Sequence, residues 1–163
     1  MHAVKDYLHM LEVLRQYPNI KATFNYVPVL VEQLECYVRG EASDTMMDLG
    51  RQDDWSDAEK QQILNLAYSI NWDRIARRYP RYSELIDRRQ AALQDHNSFS
   101  RQDYRDLITW FNLAWTDPVW LAQDNTLKEL VQKGRNFDKD DFEQIMAKHL
   151  QMCGLIVPTL QEM

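Results

Sequence analysis

Apolar residues recur every three or four positions along most of this chain, the spacing of helices with one buried face. Residues 3–16 place Val4, Tyr7, Leu8, Leu11 and Leu14 on one such face, with no cap residue ahead of it, as though the pattern began within a helix. Tyr17-Pro18-Asn19 stops the helix. Residues 20–27, from Ile20 to Val27, then break the helical period. They are short, β-branched and aromatic, and Pro18 and Pro28 bound them, which predicts one strand. A lone strand leaves its backbone groups unpaired and must find a neighbour.

Pro28 suits the first turn of the next helix, whose inward face is Leu30, Leu34, Tyr37 and Val38 and whose stop is Gly40. Residues 41–55 form a polar connector with one short helical turn expected behind Asp44. Ser56 and Glu59 make a capping-box pattern ahead of Ile63, Leu64, Ala67 and Ile70. Pro80 opens a helix expected to run through residue 93, with Leu85 and Ile86 inward. Ser100 and Asp103 repeat the capping pattern before Tyr104, Leu107, Ile108, Phe111, Ala114 and Trp115. Asp117-Pro118 marks a restart, Asn125 opens a short helix that ends at Gly134, and Asp138 caps the last. That last stripe runs from Phe142 and Ile145 to Ile156 and Val157, with a kink or end expected near Pro158. The sum is a mainly α chain of about seven or eight helices with one short strand.

Composition narrows the function. With 45% hydrophobic residues in 163, the chain can bury a core, and 4 Gly with 5 Pro are too few for a turn-rich sandwich or barrel. A net charge of −6 and the absence of a basic stripe argue against nucleic acid. Cys36 and Cys153 have neither disulfide-framework nor metal spacing, and read as small apolar residues of a reducing compartment. No apolar run has membrane-spanning length, and the first residues do not form a signal peptide, so the expectation is a cytoplasmic protein without membrane contact.

Catalytic chemistry is sparse. His2 and His9 stand about two helical turns apart, not at the four-residue spacing of a zinc helix, and His96 and His149 are isolated, so no metal site is expected. The glycines form no phosphate loop, and no cofactor is implied. The acids at Asp53-Asp54 and at Asp138, Asp140 and Asp141 read as connectors and helix starts. Trp110, Trp115 and Trp120 cluster in sequence with Phe111. Aromatics at helical spacing are mostly core, and Trp115, ending a helix beside the Asp117-Pro118 turn, is the exception chosen as a candidate sugar-stacking surface.

The order of several strings then carries a resemblance. His2-Ala3-Val4-Lys5-Asp6-Tyr7, Ala22-Thr23-Phe24-Asn25-Tyr26-Val27-Pro28 and Leu30-Val31-Glu32-Gln33-Leu34 come first. Asn71-Trp72, Tyr79-Pro80-Arg81-Tyr82-Ser83-Glu84-Leu85, Asp103-Tyr104-Arg105-Asp106-Leu107 and Phe111-Asn112-Leu113-Ala114-Trp115 follow. Asp117-Pro118, Val131, Lys133-Gly134-Arg135 and Phe137 close the series. Over nearly its whole length the chain resembles the amino-terminal part of the family-57 glycoside hydrolases: α-amylases, 4-α-glucanotransferases, amylopullulanases and branching enzymes.

The resemblance implies a retaining enzyme on α-glucans, built on an incomplete seven-stranded (β/α) barrel with long helical insertions. The family's His-Gln-Pro motif and the motifs of its catalytic Glu and Asp are absent here, so it assigns no catalytic residue. Residues 1–163 are then expected to be a single partial domain, one strand with the helical insertion that decorates the barrel. Their expected role is scaffold and cleft wall, contacting an α-glucan or maltooligosaccharide through the parent enzyme. Asn25, near the strand's carboxyl end, is a candidate substrate contact, or else a residue that bonds the turn into Pro28. The alternative is a self-standing helical module that binds sugar or protein, with self-association through the strand edge.

Overall fold

Helix starts marked by cap residues in the sequence are helix starts in three dimensions. The computed structural model describes residues 2–162. A π-helical turn, Ala3–Tyr7, runs into α1 (Leu8–Arg15). There follow α2 (Pro28–Val38), α3 (Thr45–Arg51), α4 (Asp57–Ala67), α5 (Pro80–Asp87), α6 (Arg89–Gln94), α7 (Arg101–Ala114), α8 (Pro118–Gln123), α9 (Asn125–Lys133) and α10 (Lys139–Gln161). Full capping boxes close the starts of α4, α7 and α10 through Ser56–Glu59, Ser100–Asp103 and Asp138–Asp141. Asp44 caps α3 by accepting from the Met47 N–H. At the other end of α9, Gly134 takes φ 69°, a left-handed C-cap at which a Cβ would be strained.

Three expectations are corrected. Residues 20–27 form no strand: Ile20 and Val27 are 57% and 50% exposed, and the segment holds on only through the half-buried rings of Phe24 and Tyr26. Strand propensity reflects side chains packed on a neighbouring strand, and no strand occurs among the described residues. The edge on which self-association was to rest is therefore missing from them. The helix expected through residue 93 is interrupted by one residue of turn at Arg88, which stays near helical geometry (φ −89°, ψ −3°) while its guanidinium reaches Asp103 and the Ser98 carbonyl. The last helix passes Pro158 without ending. It ends at Gln161, three residues on: the proline lacks the N–H that would bond the Gly154 carbonyl, and Glu162 N–H donates to the Pro158 carbonyl beyond it.

Helix α7 is the axis of the larger core. Every residue from Asp103 to Ala114 is buried, and α3, α4, α5 and α10 pack around it. Tyrosines lock α4 to α5 in both directions: Tyr68 Oη donates to the Leu85 carbonyl at 2.8 Å, and Tyr82 Oη donates to the Ala67 carbonyl. Arg105 crosses from α7 to donate to the carbonyls of Gly50 and Gln52, its guanidinium 5.1 Å from the Trp55 ring centre. A smaller core of Val4, Leu8, Leu11, Leu34, Met152 and Ile156 joins α1 and α2 to the second half of α10. Helix α10 thus spans both cores, with Phe142, Ile145 and Met146 in the larger. Among the described residues no helix is long and apolar enough to cross a membrane.

Candidate functional site

The sequence candidates do not come together as a site. Asn25 is exposed on the irregular segment before α2. Trp115 is half-buried where α7 ends, and its ring is already surrounded: Lys5 Nζ lies 5.4 Å over it, His2 packs edge-on at 5.7 Å and Phe111 at 6.4 Å. Trp110, Trp115 and Trp120 all belong to the larger core with Phe111, Trp110 buried within it and Trp115 and Trp120 partly buried against it. Trp110 stacks on Tyr79 and meets Phe137. Cys36 and Cys153 are unpaired and half-buried.

The structure instead opens a groove of about 520 Å³ where the start of α5 meets the end of α9. Its floor is Tyr79, whose ring lies 4.5 Å above that of the buried Trp110 with the planes 26° apart. Trp110 Nε1 donates to the Gly134 carbonyl at 2.8 Å, so the left-handed turn at Gly134 holds the floor in place. Pro80 fixes the first turn of α5 and thereby aims Tyr79 and Arg81 at the groove. The rim carries Arg78, Gln132, Lys133 and Arg135.

An ion network organises one wall. Arg81 binds three carboxylates: Nε to Asp106 at 2.8 Å, Nη2 to Asp103 at 2.6 Å and Nη1 to Glu84 at 2.6 Å. Arg135 Nη2 donates to the other Glu84 oxygen at 2.8 Å, and Arg88 reaches Asp103 at 3.1 Å. Asp106 is fully buried, and its second oxygen accepts from Phe137 N–H at 3.0 Å and from Gln102 at 2.9 Å. Burial alone would push Asp103 up, but hydrogen bonds from Arg88, Ser100 and Arg81 outweigh it and hold the carboxyl well below its ordinary range. Burial likewise opposes the charge on Arg81, and its bonds to Asp106 and Asp103 leave its pKa raised. Asp103 and Arg81 therefore stay charged at neutral pH.

Among the described residues lining the groove, Glu84 is the one carboxylate, and two arginines hold it. Hydrolysis of a glycosidic bond by the two-carboxylate mechanism needs a second acid across the cleft. An aromatic floor under a rim of hydrogen-bonding groups is suited to holding a polyhydroxylated ring. Sequence reasoning missed this groove. Its signal was present in Tyr79-Pro80-Arg81 and Lys133-Gly134-Arg135, a helix-opening proline and a helix-closing glycine that each carry an arginine, but nothing local says that they meet.

A smaller, partly open cavity of about 130 Å³ lies between α2, α3, α7 and α10, with Tyr37, Asn112, Met146, His149 and Cys153 on its wall. Thr116 Oγ1 donates to the Asn112 carbonyl at 3.0 Å, so it accepts from His149 Nε2–H at 2.7 Å. Burial drops the His149 pKa to about 3, and the ring is neutral.

Comparison with known proteins gives no match: no family model, no curated protein and no solved structure resembles this chain closely enough to assign it.

Proposed function

We propose that the chain is a non-catalytic helical module of an α-glucan-acting enzyme, and that the groove over Tyr79 is where it holds the glucan. One observation carries this reading. Two strings of the family-57-like series meet at the same groove, Tyr79, Pro80, Arg81 and Glu84 lining it from one and Val131, Lys133, Gly134 and Arg135 from the other, joined by an ion pair between residues 51 positions apart. Other polar residues of the series support it from behind: Asp103 and Asp106 hold Arg81, and Phe137 N–H is bonded to Asp106. The barrel-insertion architecture belongs to this reading too. In it, residues 20–27 would find in the rest of a barrel the neighbour they lack here.

Titration with maltoheptaose, followed by amide chemical shifts, tests the proposal. Shifts should map to residues 78–84 and 131–135. Gln132→Ala and Arg135→Ala should weaken binding about tenfold, which is about 1.4 kcal/mol. Shifts that map elsewhere, or an affinity untouched by both rim variants, would overturn the groove assignment. Incubation with maltooligosaccharides should give no new products, and turnover abolished in Glu84→Gln would overturn the non-catalytic assignment.

The alternative, a module that folds by itself and binds sugar or protein, is favoured by the three full capping boxes and the two closed cores. It predicts one cooperative melt of the isolated chain.

A further inference from the structure

Helix α1 meets the Asp117-Pro118 turn over three side chains of metal-binding type. His9 and Glu12 stand one turn apart on α1 and share a face. Asp117 sits between α7 and α8 and is fixed twice: its Oδ1 accepts from Val119 N–H at 2.6 Å, and its own N–H donates to the Val4 carbonyl at 2.9 Å. Its other oxygen, Oδ2, belongs to a residue only 1% exposed and has no hydrogen-bond partner. His9 Nδ1 lies 2.8 Å from that oxygen, also shut from solvent, yet the two are out of hydrogen-bond alignment and neither finds another partner. A buried carboxylate oxygen left this way is costly, and native folds seldom tolerate one without an unseen ligand. One ligand atom from each of His9, Glu12 and Asp117 lies within 4.8 Å of the other two.

We propose that His9, Glu12 and Asp117 bind a divalent transition-metal ion of the zinc type, which clamps α1 to the turn between α7 and α8. Two carboxylates and a neutral imidazole carry a charge of about −2, which matches a divalent ion. The imidazole selects against Ca²⁺ and Mg²⁺, which prefer all-oxygen shells, and favours zinc and its neighbours. Adjacent ligand atoms around an ion held at ~2.0–2.1 Å lie about 3 Å apart, the scale of the His9–Asp117 approach. Three protein ligands leave a coordination position open. Of the three ligands, Glu12 also lines a surface groove with Gln16, Val119, Trp120 and Gln123; Asp124, on the same wall, is engaged by Lys148 at 2.7 Å. No local pattern announces the site, because α1 offers only a His and a Glu and the third ligand lies more than one hundred residues downstream.

Calorimetric titration of the chelator-stripped chain with Zn²⁺ tests this, with Co²⁺ absorption as a second readout. The expected result is one ion per chain and a Tm rise of about 5–10 °C at Zn²⁺ near 100 times Kd. Glu12→Gln should weaken binding about tenfold or more, and Asp117→Asn should do the same while keeping the cap acceptor for Val119 N–H. His2→Ala, which removes the exposed His2–Asp6 pair on the same helix, should leave binding unchanged. If Asp117→Asn does not fold, Glu12→Gln decides alone, because its half-buried side chain caps nothing. No binding, or binding equally strong in Glu12→Gln, would overturn the site and leave His9 and Asp117 as a poorly aligned ion pair.

Discussion

Two glycines of this fold respond to a methyl group in opposite ways. At Gly154, inside α10, an added Cβ meets only Val38 at 3.8 Å, an ordinary contact. Gly154→Ala should therefore stabilise the chain by about 0.5–1 kcal/mol, because alanine has less unfolded-state freedom and a better helix propensity. At Gly50 the same Cβ would overlap the buried Phe142 ring. Gly50→Ala should cost about 1–3 kcal/mol as an overpacked contact between α3 and α10. Urea denaturation of both variants checks the signs, and equal effects would mean that the two helices adjust more freely than their packing implies. His149 sets a third residue-scale property. Its pKa is about 3 when folded and near 6.5 when unfolded, so its contribution to stability is intact above pH 6.5 and is lost as pH falls toward 3. The expected slope approaches about 1.4 kcal/mol per pH unit below the unfolded pKa. Asp103, held low by bonds from Arg88, Ser100 and Arg81, adds acid sensitivity only as pH falls through and below its ordinary carboxylate range, beneath the pH 5–6.5 window. His149→Gln should flatten the stability curve in that window, and an unchanged slope would place its origin elsewhere.

At the scale of elements, the helices were legible in the sequence because their signals are local. Ser56, Ser100 and Asp138 each cap the helix they were expected to start, and Pro28 and Pro118 each open theirs. Removing the cap of the longest helix should be felt in both cores: Asp138→Ala should cost about 1 kcal/mol, measured by thermal or chemical denaturation. What was not legible depends on distant partners. Residues 20–27 have a strand's composition, but composition cannot supply a neighbouring strand. The pattern from Pro80 reads as a single helix through residue 93, and the break falls at Arg88, whose guanidinium pairs with an aspartate fifteen residues on. The groove needed the same information, since Tyr79 gains its meaning from Trp110 and Glu84 from Arg135. Its supporting network makes a sharp prediction. Arg81→Met leaves Asp106 charged, fully buried and without its guanidinium, which should cost about 3–5 kcal/mol. A loss under about 1 kcal/mol would mean that Gln102 and the Phe137 N–H suffice to hold that carboxylate.

Over the whole molecule, two cores of unequal size share one long helix. The larger gathers around α7, while the smaller rests on six buried side chains from the π-helical turn, α1, α2 and the second half of α10. Trp120 packs partly against both, so the cores touch through α8 as well as through α10. Local stability follows buried apolar contact, and the smaller core should open at lower cost than the larger. Leu11, wholly buried on α1, is the residue to test. Leu11→Ala removes buried methyl groups and leaves a cavity, an expected loss of about 2–5 kcal/mol. By native-state hydrogen exchange, that loss should fall first on the amides of α1 and α2, with α7 retaining its protection. If protection of α7 fell by the same amount, α10 would be transmitting the damage along its length, and the two cores would unfold as one unit. The cap at Asp138 and the packing at Leu11 then address one question from opposite ends of the same helix: whether the part of the chain that carries His9 and Glu12 can loosen while the Tyr79 groove stays formed.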